Sequence, residues 1–132
     1  MSSSICAIIE TFNPDAEKLL DLVNRSRDQV DRLVIIDNAS ASRPQISDVK
    51  IIHNEKNEGL AAALNYGIDY ALSQGFAYVL LFDQDSKPGP GMVAALHADL
   101  AHLQAKGEKV AAIGPSVVDV RDDATLPFVR FG

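Results

Sequence analysis

Short apolar runs alternate with longer stretches in which apolar residues recur every three or four positions. This alternation predicts β–α–β units and a mainly parallel sheet. The first strand is expected at 4–11, and Asn13 and Pro14 after it suit a helix N-cap and first helical residue. That helix reaches about Arg27, with Ala16, Leu19, Leu20 and Val23 on one face. Leu33-Val-Ile-Ile-Asp37 sets four apolar residues in a row, as in a strand covered on both faces. A polar loop at 38–45 leads to a third strand at 49–53. The turn-rich stretch 54–59 precedes a helix through Gln74 with apolar Leu60, Leu64, Ile68, Ala71 and Leu72, stopped by Gly75. Asn65 reads as a residue that packs or caps this helix.

A fourth strand at 78–82 passes through the loop 83–91 into a helix at 92–105, which buries Val93, Leu96, Leu100 and Leu103 and ends at Gly107. A fifth strand is expected at 110–114. Beyond it, two short edge strands flank an acidic turn at 119–123. The pattern as a whole predicts an α/β fold, a mainly parallel sheet with helices on both faces.

Composition narrows the partners. A chain of 132 residues has room for one domain of common size, and 47% hydrophobic with 23% charged residues is ordinary for a soluble globular protein. The net charge of -6 argues against nucleic acid or a broad anionic membrane surface, because both need clustered Lys and Arg. A phosphate ligand would therefore come with a cation. The longest apolar runs, 5–9 and 78–82, are far shorter than a membrane span, and the first four residues carry no charged leader, so a cytoplasmic location is expected. The single cysteine, Cys6, lies in an apolar run and suits core packing rather than nucleophilic chemistry.

In open α/β sheets ligands gather beyond the carboxyl ends of the strands. Here those ends are polar: Thr11-Phe-Asn13, Asp37-Asn-Ala-Ser40, His53-Asn-Glu-Lys-Asn57 and Asp83-Gln-Asp-Ser86. Asp83 and Asp85 bracket one residue, a spacing that lets two carboxylates share a crevice. Close anions repel unless a cation offsets them, and a hard divalent ion is commonly held by one or two carboxylates plus substrate phosphates. The same residues also suit a solvated turn. Lys87 reads as solvated, His97 and His102 match no metal spacing and read as surface positions, and His53 has no assigned role.

Four pieces, Thr11-Phe-Asn-Pro14, Val34-Ile-Ile-Asp-Asn-Ala-Ser40, Asn57-Glu-Gly-Leu-Ala-Ala-Ala-Leu-Asn-Tyr-Gly-Ile68 and Leu81-Phe-Asp-Gln-Asp-Ser86, stand in the order found in the family 2 glycosyltransferases. Over about residues 5–115 the chain resembles that family, and within it the rhamnosyltransferase-like members. The resemblance implies a GT-A, Rossmann-like nucleotide-binding architecture. It makes 1–132 a single nucleotide-sugar-binding domain without the acceptor-binding half.

The implied reaction is inverting, metal-dependent transfer of a sugar such as rhamnose from a dTDP- or UDP-linked donor to a glycan or lipid-linked acceptor. By the same resemblance Thr11, Phe12 and Asn13 border the base, and Asp37 accepts from its ring N–H. Asn57 and Gly59 shape the loop beside the nucleotide, although Asn57 equally suits a turn or cap. Asp83 meets the ribose, or the metal through water, while Asp85 ligates the Mg²⁺ or Mn²⁺ that bridges the diphosphate. Leu64 departs from the pattern, since many relatives carry Arg there.

No residue is assigned as catalytic base. In the resembled family it lies beyond the donor-binding half, and Asp119, Asp122 and Asp123 read as an acidic turn. The chain alone is thus expected to bind donor and transfer little.

A response-regulator receiver would share a strand-to-acid loop, but would place acidic residues after its first strand and Lys after its fifth. This chain has Glu10-Thr-Phe12 and Gly114-Pro115. Haloacid-dehalogenase-type phosphatases put Asp-x-Asp on the first strand, not the fourth. A domain that binds sugar nucleotides without turning them over is the remaining alternative.

Overall fold

Branched and apolar side chains at consecutive positions, as in Val34-Ile-Ile36, favour an extended backbone that can be covered on both faces. In the computed structural model, which describes residues 4–116, 118–119 and 124–125, such runs become the inner strands of one sheet. Strands β1 (Ile5–Thr11), β2 (Arg32–Asp37), β3 (Lys50–His53) and β4 (Tyr78–Phe82) pair in the order β3-β2-β1-β4, all parallel. Helices α1 (Ala16–Ser26), α2 (Leu60–Ser73) and α3 (Met92–Ala105) complete the α/β architecture.

The chain falls into two compact units, Met1–Pro90 and Gly91–Gly132. In the first, the step from β1 to β2 through α1 runs one way along the sheet, and the step from β3 to β4 through α2 runs back. Right-handed crossovers in opposite directions put the two helices on opposite faces. On the α2 face the core is Cys6, Ile8, Val34, Ile36, Ala63 and Ala71, flanked by Leu64, Ile68 and Phe76. Alternation turns Ala7, Ile9, Leu33 and Ile35 to the other face, and these are buried, as are Leu19, Leu22 and Val23 of α1. Burial pushes the Cys6 thiol above its usual pKa, against the opposing pull of the Arg32 charge, so Cys6 is core material.

Several local expectations are corrected. Asp15, not Asn13, caps α1: its carboxylate accepts from Lys18 N at 3.1 Å. Asn13 is held out of the helix by a left-handed backbone, φ 46°. The buried face of α1 is Leu19, Leu22, Val23 and Ser26, whereas Ala16 and Leu20 are exposed. Ser26 sits inside because its hydroxyl donates to Leu22 O at 2.6 Å.

In α2 the buried row is Ala63, Gly67 and Ala71, while Leu60 and Leu72 are exposed. Small residues four apart bring this helix close to the sheet and turn its larger side chains sideways. Asn65 is exposed in mid-helix and caps nothing. Gly75 does end α2: at φ 79° it donates to Leu72 O, and Phe76 N donates to Ala71 O, a Schellman closure.

The second unit holds α3 and an antiparallel pair, β5 (Val118–Asp119) and β6 (Ala124–Thr125). Of the expected buried residues of α3 only Val93 is buried; Leu96, Leu100 and Leu103 are half-buried. No strand forms at 110–114, where Ala111, Ala112 and Gly114 are exposed and offer little branched surface to a ladder. The turn residues Asp122 and Asp123 lie outside the described residues.

Helix α2 approaches β1 closely at Gly67, where an added Cβ would overlap Ile8 Cγ2 and stand 3.0 Å from Ile8 Cδ1. Alanine would raise helix propensity by about 1 kcal/mol, but overpacking costs roughly 1–3 kcal/mol. Ile8 is β-branched and buried, so it cannot swing away. Gly67→Ala is therefore expected to lower the urea-unfolding free energy by about 1 kcal/mol. A variant as stable as the parent would contradict this packing.

Candidate functional site

Because the four strands are parallel, Thr11, Asp37, His53 and Phe82 end at the same edge of the sheet. Thr11 and Asp37 are neighbours in register, both fully buried, and the Thr11 hydroxyl donates to Asp37 Oδ1 at 2.8 Å. Ser40 folds back on the same carboxylate, donating its hydroxyl to Oδ1 and its N–H to Oδ2 at 3.1 Å. That turn forces Ala39 into the left-handed region, φ 62°, which an alanine adopts only at a cost. Asn13 N–H donates to Ser40 Oγ at 2.8 Å, and Asn13 Oδ1 accepts from Ala41 N at 2.9 Å. The loops after β1 and β2 are thereby sewn together around one carboxylate. On its outer side His53 Nδ1, buried and without a hydrogen bond among the described residues, lies 3.7 Å from Asp37 Oδ2.

Asn38 carries the next connection. Its buried amide nitrogen donates to Glu10 Oε2 (3.1 Å) and Gly59 O (3.0 Å), and its oxygen accepts from Asn54 Nδ2 (3.0 Å) and Glu58 N (3.3 Å). One side chain thus fixes the loop after β3 to β1 and to the start of α2. Within that loop Asn57 Oδ1 accepts from Gly59 N at 2.8 Å, a turn contact. Gly59 then opens α2 with φ 89°, a conformation that favours glycine, and nothing lies within 4 Å of where a Cβ would be.

After β4, residues 83–86 form a β-turn closed by Ser86 N to Asp83 O at 3.0 Å. Gln84, between the two acids, reaches across to β1: its amide oxygen accepts from Phe12 N at 2.9 Å and its nitrogen donates to Phe12 O at 3.3 Å. Anchored in this way, the turn leaves Asp83 and Asp85 exposed, and neither carboxylate has a hydrogen-bond or ion-pair partner among the described residues. Two unpaired oxygen donors fit a hard divalent ion that keeps open positions for phosphate and water. No cluster of three or more His, Cys, Asp or Glu suited to a metal ion exists among the described residues, so the rest of its shell would come from the ligand.

The structure thus gathers Thr11, Phe12, Asn13 and Asp37 into one network and sets Asp83 and Asp85 beside it through Gln84. Asn57 and Gly59 join through Asn38. Leu64 packs against the α2-side core, so no cation stands at that position. His97 is half-buried and His102 exposed. Asn38, Ser40 and Gln84 were not singled out by sequence reasoning. Their one signal was their place, directly after apolar strands.

Among the described residues no helix is long and apolar enough to cross a membrane. The sequence profile of glycosyl transferase family 2 matches residues 6–122. The chain is 31% identical over 124 residues to the dTDP-rhamnosyl transferase RfbF of Shigella flexneri, covering 90% of this chain and 40% of that protein. It is 32% identical over 94 residues to an uncharacterized protein of Methanocaldococcus jannaschii, covering 64% of this chain and 41% of that one. The chain therefore spans about two fifths of the length of these relatives.

Proposed function

Because the chain belongs to glycosyl transferase family 2, we propose that it supplies the donor site of an inverting, metal-dependent sugar transfer. The donor is a dTDP- or UDP-linked sugar, rhamnose by analogy with the Shigella relative, and the acceptor a glycan or lipid-linked glycan. The observation that carries this reading is the junction at the strand ends: a buried carboxylate knot beside an exposed pair of unpartnered carboxylates.

In this reading Asp37 Oδ2, which accepts one hydrogen bond among the described residues, from Ser40 N–H, turns its remaining lone pair to the ring N–H of a pyrimidine base. The Phe12 ring, 43% exposed, offers the base an apolar face, with Thr11 and Asn13 fixing its backbone. Asp83 would meet the ribose, and Asp85 would hold Mg²⁺ or Mn²⁺. When bound, that ion offsets the charge developing on the departing diphosphate. Gly59 and Asn57 keep the start of α2 open beside the nucleotide. No residue of this donor site is assigned as the base that takes the acceptor's proton.

Calorimetry with dTDP, UDP, ADP and GDP in Mn²⁺ tests the site. Pyrimidine diphosphates are expected to bind more tightly, and Asp37→Asn to weaken them about tenfold by replacing a charged acceptor. Equal affinity for all four nucleotides would remove Asp37 from base recognition.

A further inference from the structure

At the amino ends of the strands, the opposite edge of the sheet from the site above, lies a cavity of about 610 Å³. Arg27 from the 3-10 turn after α1, Arg32 at the start of β2, Lys50 at the start of β3 and Tyr70 of α2 line it, with Asp31 and Asp48. In a chain with 18 acidic and 12 basic residues, three cations around one cavity is an enrichment. None of the three forms an ion pair among the described residues, where the pairs are Arg25 with Asp21 and His53 with Asp37.

The local acids, Asp31 and Asp48, form no ion pair with these cations among the described residues. Asp31 Oδ2 accepts from Ile5 N–H at 2.7 Å, and Asp48 is exposed on a left-handed turn, φ 61°. Aromatic rings hold two of the cations in place: Arg32 lies 5.3 Å from the Phe76 ring centre and Lys50 Nζ 5.4 Å from that of Tyr70. Arg32 Nη1 donates to the Tyr70 hydroxyl at 2.8 Å, so the Tyr70 oxygen accepts and its own proton is left to donate. Arg27 Nε is buried and has no hydrogen-bond partner among the described residues, a state that a charged donor keeps only at a cost.

We propose that this cavity is a second binding site, for a phosphate group borne by a small molecule or by a lipid headgroup. Residues that carry donors line it from four separate elements. A tetrahedral phosphate can accept from several directions at once, whereas a carboxylate presents one planar edge. Arg27 and Arg32 would each supply N–H donors, Lys50 a compact charge and Tyr70 a hydroxyl. The site lies at the far end of β2 and β3 from Asp37 and His53, and its existence does not rest on the donor site.

The test uses the ¹⁵N-labelled full chain, titrated with inorganic phosphate against sodium chloride of matched ionic strength. Saturable shifts are expected at the Arg27 Nε–H and at the amides of Arg32 and Lys50, with those of Asp37 and Gln84 unmoved. Arg27→Gln and Lys50→Gln should each weaken binding by about tenfold, the usual effect of losing one charged hydrogen bond. Lys50 is exposed, so its variant keeps the fold even if that of Arg27 does not. In parallel, flotation with phosphatidylcholine vesicles, with and without phosphatidic acid, reads the lipid source. Capture by the phosphatidic acid vesicles alone, lost in Lys50→Gln, would assign the headgroup. Shifts that follow ionic strength only, together with no vesicle capture, would overturn the site. So would binding that both variants retain.

Discussion

Asn38→Ala is expected to lower the unfolding free energy by about 3 kcal/mol, the largest stability loss of any single polar substitution near the site. The amide is fully buried and serves four partners, Glu10, Asn54, Glu58 N and Gly59 O. Truncation removes four part-buried hydrogen bonds at once, each worth about 1 kcal/mol, a loss partly relieved by water reaching the freed partners. Asn38→Asp should do no better, because its second oxygen would face Glu10 and Gly59 O, acceptors both. Urea unfolding followed by far-ultraviolet circular dichroism measures the loss. A change below about 1 kcal/mol would mean that the amide is worth no more than an exposed hydrogen bond.

Asp85→Asn is expected to uncouple nucleotide affinity from the divalent ion. A chain of net charge -6 binds a diphosphate against repulsion, and like charges about 4 Å apart near a protein surface oppose each other by roughly 4 kcal/mol. A cation held by Asp85 reverses that sign. The parent should bind dTDP or UDP roughly a hundredfold more tightly in Mn²⁺ than in EDTA, about 2.7 kcal/mol. In the variant the two conditions should agree within about twofold, since the amide keeps the shape but loses the charge. Gln84 keeps the turn seated on Phe12 in both proteins, so the readout is charge and not loop order. Equal binding by the parent in Mn²⁺ and EDTA would end the metal role.

The apolar runs of β1 and β2 were legible because burial on both faces leaves a continuous hydrophobic signature, and β4 was legible as an apolar run although Val79 and Leu81 are exposed at the sheet edge. Which face of a helix is buried was less so. The periodicity of α2 marks an apolar arc that includes Leu60 and Leu72, but Gly67 against Ile8 sets its centre, and glycine has no hydropathy signal. The apolar run at 110–114 resembled a strand because composition alone says nothing of a ladder partner. Asp37, Asp83 and Asp85 stood out as acids at strand ends. Asn38 and Gln84 did not, because a polar residue in a loop reveals its partners only once distant strands are adjacent. Gln84 and Phe12 are 72 positions apart.

That separation orders the assembly of the molecule. Thr11 and Asp37 lie 26 residues apart, and the Asn38 contacts span at most 28, so β1, β2, β3 and the carboxylate knot can form from the first part of the chain. The Gln84 anchor needs β4, which completes the sheet only after the crossover through α2, and contacts between distant positions pay their loop-closure entropy before any reward. As the chain leaves the ribosome, the carboxylate knot around Asp37 can be built before the turn that carries Asp83 and Asp85, and the last joint to close is the one between them, Gln84 on Phe12.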